Sequence, residues 1–192
     1  MFEQDGIDLV GPEGAQLLTD LVRNAWSDLH SKPLGFFPRT RRQDMSDLMV
    51  QGASQALLDL DYVRPLVRDA IYWYVWRETA AIRFKHHGPD GLTSNHPSGA
   101  QLLIAGQKPL PGLPEHLVYL SCGPTLDRTE SAITQILLTK RVGNKNEWAI
   151  DLDQLAEGDT MPFTSPLPIT PKDAPTGATI LPFRPAKTKG EK

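Results

Sequence analysis

Two of the four Trp and two of the four Tyr in this chain fall in five consecutive positions, Tyr72, Trp73, Tyr74, Val75 and Trp76. That much aromatic surface is too costly to leave in water, so the element that carries it sits at the centre of the core. At helical spacing Val67, Ile71, Tyr74, Val75 and Ile82 fall on one side, and Tyr72, Trp73, Trp76 and Ala80 on the other. A helix apolar around most of its girth belongs in the middle of a bundle. The sequence therefore predicts a helix here, capped by Asp61 and with Pro65 in its first turn. Trp73 and Arg77 then lie one turn apart, placed for guanidinium stacking on the indole.

Two helices precede it. Gly11, Pro12 and Glu13 read as a helix entry, with proline pre-set for the first turn and an acid at the positive dipole end. Leu17, Leu18, Leu21, Val22, Ala25, Trp26 and Leu29 follow at helical spacing until Pro33, Gly35 and Pro38 stop the pattern. Over residues 41–60, Met45, Leu48, Met49, Ala53, Ala56 and Leu57 support a second helix, weakened by Gly52. Beyond the loop-like residues 86–98, residues 101–105 and 116–121 have strand-like content. Asp127 with Glu130 three positions on is an N-cap signal for a helix to about residue 141, and residues 148–152 suggest a third strand. The resulting expectation is an α+β, helix-rich fold: an N-terminal three-helix core, a small strand-containing C-terminal half and an extended tail.

The length of 192 residues suits one domain, residues 1–157, plus an appendage. Residues 158–192 are read as a Pro-rich disordered tail, since seven of the 17 prolines follow Gly158. The net charge of −3 argues against a generally basic nucleic-acid coat. One cysteine excludes an internal disulfide and suits a reducing compartment. Glu3, Asp5 and Asp8 stand where a signal peptide would be positive, and no apolar run reaches membrane length. A cytoplasmic protein with no membrane partner is expected.

Four groups of residues carry chemistry. The run Cys122-x5-Arg128-Thr129 follows strand-like residues, and its Arg128 and Thr129 stand at the start of the helix signalled by Asp127. It resembles the Cys-x5-Arg-Ser/Thr loop of cysteine-dependent phosphatases and related arsenate reductases. That resemblance implies a thiolate nucleophile at Cys122 and an oxyanion clamp at Arg128. His86, His87, Asp90 and His96 are close enough in sequence to suggest a divalent metal site. Arg39, Arg41 and Arg42 form a basic cluster able to meet phosphate or nucleic acid. In the tail, Ile180, Leu181 and Phe183 beside Arg184 are apolar anchors in a segment without a core of its own.

The weight of these features falls on a non-enzymatic adaptor or regulatory protein that has a protein partner, recruits it through the tail motif and needs no cofactor. A phosphatase-like enzyme built on Cys122 and Arg128 is the alternative. A nucleic-acid-binding accessory protein comes third.

Overall fold

The computed structural model describes residues 1–31, 38–68, 71–93 and 114–158, together with residues 103, 106 and 108. Among them are three helices, α1 (Glu3–Ser31), α2 (Pro38–Ala56) and α3 (Leu152–Ala156), and six strands. The strands are β1 (Val63–Arg68), β2 (Ile71–Trp76), β3 (Ala80–Phe84), β4 (Val118–Leu126), β5 (Ile133–Val142) and β6 (Lys145–Asp151). They form one sheet in chain order, antiparallel except for the parallel pair β3 and β4. The molecule is thus two three-stranded meanders side by side, with helices on one face, rather than a helix-rich protein with a three-helix core.

The correction begins at the aromatic run. Residues 72–76 lie in β2, not in a helix, and their alternation puts Trp73 and Val75 on one face of the sheet and Tyr74 and Trp76 on the other, all buried. An interior strand covered on both faces is as apolar all round as a buried helix, so a run this short does not separate the two by periodicity. β-Branched and aromatic content decides for the strand. Pro65 fits because β1 is an edge strand. The Arg77 amide donates to the Tyr62 carbonyl at 2.7 Å, and ladder alternation from that pair turns the backbone of Val63, Pro65 and Val67 outward, where proline removes no sheet hydrogen bond. Strand geometry also changes the cation–ring pairs: Arg83 lies 5.5 Å over the Trp73 ring, and Arg77 lies 5.4 Å over Tyr62.

Asp127 does cap backbone N–H groups, but those of a turn. Its carboxylate accepts from the amides of Ser131 and Ala132 at 2.6 and 2.9 Å, and from the Thr129 hydroxyl. Glu130 has φ of 54°, which ends any helical path, and the β-branched residues that follow enter β5. Gly143, with φ of 63°, makes the β5–β6 turn.

The helices pack on the face carrying Tyr74, Trp76, Ile82, Leu120, Ile136, Leu138 and Ile150. The apolar stripe of α1 is as expected, with Leu18, Leu21, Val22, Ala25 and Leu29 buried. The helix starts earlier than the sequence suggests and kinks at Gly11, whose φ of 65° favours glycine, so that Pro12 opens the second segment. Beside the kink the Leu9 carbonyl accepts the Trp76 indole N–H at 3.2 Å. Gly14 admits the same ring against the helix backbone, since a Cβ there would stand 3.0 Å from it. Met45, Met49 and Ala53 of α2, and Leu57 just beyond it, enter the core, and the Val50 carbonyl accepts the Tyr74 hydroxyl at 2.9 Å. On the opposite face Trp73, Val75, Ala81, Leu117 and Tyr119 form a second cluster, joined by Leu103 of the β3–β4 connection. No described helix is long and apolar enough to cross a membrane.

Candidate functional site

The structure does not bring Cys122 and Arg128 together. Cys122 lies inside β4 with its side chain in the helix-covered core, fully buried, and burial pushes its thiol well above the ordinary range. Leu126 is four residues further along the strand, about 13 Å away, and Arg128 follows it on an exposed turn. A phosphate-binding loop closes between its cysteine and arginine, whereas this segment is extended and hydrogen-bonded to β5. The Asp127 carboxylate fills the turn's amides and is held far below its usual range, by the Thr129 hydroxyl first and the Ala132 amide next.

The histidines also diverge. His87 is buried over β4, one ring nitrogen 3.1 Å from the Gly123 carbonyl and the other 3.1 Å from the Thr139 hydroxyl. Burial lowers its pKa to about 4. His86 faces a different side and lines a small hollow with Trp26, Leu29, His30, Met45, Leu126 and Glu130. That hollow has about 20 Å³ of internal space, room for little more than a water. Asp90 is exposed and accepts the Leu92 amide at 3.0 Å. His96 lies outside the described residues. Among the described residues no three His, Cys, Asp or Glu side chains come close enough to hold a metal. Arg39, Arg41 and Arg42 belong to the first turns of α2, and their side chains are outside the described residues, as are Ile180, Leu181, Phe183 and Arg184.

A concavity larger than the hollow at His86 is one the sequence did not single out. It is a groove of about 580 Å³ along α1 and α2, floored by Leu17, Leu21, Ala25, Leu48, Gly52 and Ala56. Asp20, Asn24 and Asp28 rim it from α1, and Gln51 and Gln55 from α2. Among the described residues no Lys or Arg lines it. The floor is open because the facing positions are small. A Cβ at Gly52 would only touch Leu21 at 3.7 Å, so the groove keeps its width where a larger side chain would fill it. The available signal was Gly52 among Ala53 and Ala56, a run of small residues in the middle of an amphipathic helix.

Comparison with protein-family models, with characterised proteins and with solved structures finds no match to this chain.

Proposed function

We propose that this chain is a non-enzymatic adaptor or regulatory protein acting by protein–protein contact, and that its α1–α2 groove receives a short apolar segment flanked by positive charge. The groove carries this reading: Leu17, Leu21 and Leu48 lie at the base of a mixed polar and apolar concavity whose rim, among the described residues, holds Asp20 and Asp28 and no basic residue. Two or three apolar side chains seated there would each contribute about 1.5–3 kcal/mol. Ordering costs leave a net affinity on the order of 10 µM, the range of a regulated contact. The buried Cys122 and the separated histidines give no comparable support to a catalytic reading.

The chain carries a segment of the fitting composition. Ile180, Leu181 and Phe183 precede Arg184, Lys187, Lys189 and Lys192. The 23 residues from Gly158 to Ile180 span up to about 75 Å when extended. Such a segment, from this chain or from a partner that resembles it, is the occupant the groove selects by charge. The described core lies between Leu9 and Leu155, so residues 1–158 fold as a body that can be tested without the segment. A labelled peptide copying residues 178–187 should bind that body saturably. Affinity should fall about tenfold or more with Asp20→Lys and Asp28→Lys together, or with Gly52→Leu, which fills the floor. Absence of saturable binding, or binding indifferent to these variants, contradicts the proposal.

A further inference from the structure

The short helix α3 carries the end of the described chain to the side of α1. Its start is fixed by the Asp151 carboxylate, which accepts the amides of Asp153 and Gln154 at 3.0 and 3.5 Å, and Leu152 and Leu155 anchor it in the core. The helix packs on α1, where the Asp153 carboxylate accepts the Arg23 guanidinium at 3.0 Å. Arg23 is followed by Asn24 and lies about one turn from Asp20 and Ser27, and all three of these neighbours line the α1–α2 groove. A helix is about 10 Å across and five helical residues are about 8 Å long, which puts Gly158 roughly 20 Å from the groove.

Beyond Gly158 the chain has the length and the charge to return. Ile180, Leu181 and Phe183 are followed by Arg184, Lys187, Lys189 and Lys192 against one acid, Glu191. The groove offers apolar Leu17, Leu21 and Leu48 with Asp20 and Asp28 at its rim. The 23 residues from Gly158 to Ile180 would average about 25 Å end to end as a coil, close to the span required. A tether matched to its span holds a segment at an effective concentration on the order of 1 mM. That is about a hundredfold above the ~10 µM affinity argued for the groove.

We infer that residues 180–187 occupy the α1–α2 groove of their own chain, so that the tail is an autoinhibitory contact and a partner's apolar and basic segment enters by displacing it. This rests on the groove reading proposed above and adds its regulation. A segment presented in trans then meets a groove that is open about one part in a hundred, and a partner that grips the tail would release the groove.

Two measurements on the full chain test it. The labelled peptide of residues 178–187 is titrated into the full chain and into the full chain with Ile180→Ser, Leu181→Ser and Phe183→Ser together, which keeps the charge and changes nothing in the described core. The expected result is binding to the variant about a hundredfold tighter than to the parent chain. Equal affinity for both overturns the autoinhibition and leaves the groove reading standing, whereas binding to neither overturns the groove and this inference with it. In the second measurement a nitroxide is attached at Thr188→Cys, since the native thiol, Cys122, is fully buried. The label should broaden the methyl signals of Leu17, Leu21 and Leu48 within one chain. Broadening of the same strength when labelled, unenriched chains are mixed with enriched, unlabelled ones would make a second copy the occupant, and no broadening would leave the groove empty; either result overturns the contact in cis.

Discussion

Gly123→Ala is the sharpest test of how the two meanders are joined. The added Cβ would meet the Lys85 carbonyl oxygen at 1.8 Å and its carbon at 2.7 Å. Ordinary contact needs about 3.5 Å, so the end of β3 must move from β4 by roughly 1.5 Å. Backbone atoms oppose the methyl group, and no rotamer change relieves them. Four hydrogen bonds depend on the present spacing. Lys85 and His87 donate their amides to the carbonyls of Cys122 and Pro124 at 2.8 and 2.9 Å, and the His87 ring bridges the Gly123 carbonyl and the Thr139 hydroxyl. Losing two or three at about 1 kcal/mol each agrees with the roughly 1–3 kcal/mol typical of overpacking. The expected cost is about 3 kcal/mol, a fall in melting temperature of roughly 6–12 °C for a domain of this size. Urea denaturation monitored by Trp fluorescence and circular dichroism measures it. Gly143→Ala is the control, because a Cβ there meets nothing within 4 Å and only the φ of 63° is strained, at about 1 kcal/mol. If Gly123→Ala costs no more than Gly143→Ala, the parallel junction is not packed as described.

Acidification should destabilise the protein through His87. Its pKa is lowered from 6.5 to about 4, burial being the main cause, so the unfolded chain takes up the proton first and stability falls as pH drops from 6.5 towards 4. The loss between pH 7 and about pH 5 is about 2 kcal/mol; denaturation at both pH values should show His87→Gln losing distinctly less than wild type, and equal losses would contradict the assignment. Tyr74→Phe removes the hydroxyl that donates to the Val50 carbonyl and pairs with the Ser54 hydroxyl at 2.8 Å. Its expected cost is about 1 kcal/mol in equilibrium unfolding, and a neutral result would mean that these contacts do not tie α2 to the sheet.

The amphipathic helix α1 was legible because its apolar positions repeat over several turns, and its buried residues are those the pattern names. Trp148 was placed on a strand for a similar reason, within β6. The aromatic run was placed at the centre correctly but in the wrong element. Residues buried on both sides lose the polar–apolar contrast on which either period depends, and Asp61 and Pro65 then read as a helix start. Asp127 misled in a different way, since a carboxylate that caps amides does so equally for a turn, and only the positive φ at Glu130 distinguishes the two. The groove was illegible because it is defined by what Gly52, Ala25 and Ala56 fail to fill, which depends on how two helices face each other.

The binding proposal is tested most directly by locating the peptide on the body. Methyl NMR spectra of residues 1–158, recorded as the peptide of residues 178–187 is added, should show saturable shifts at Leu17, Leu21, Leu48 and Ala56, with Leu66 and Val67 on the far edge strand unmoved. Shifts centred on any other surface, or none at saturating peptide, would contradict the account.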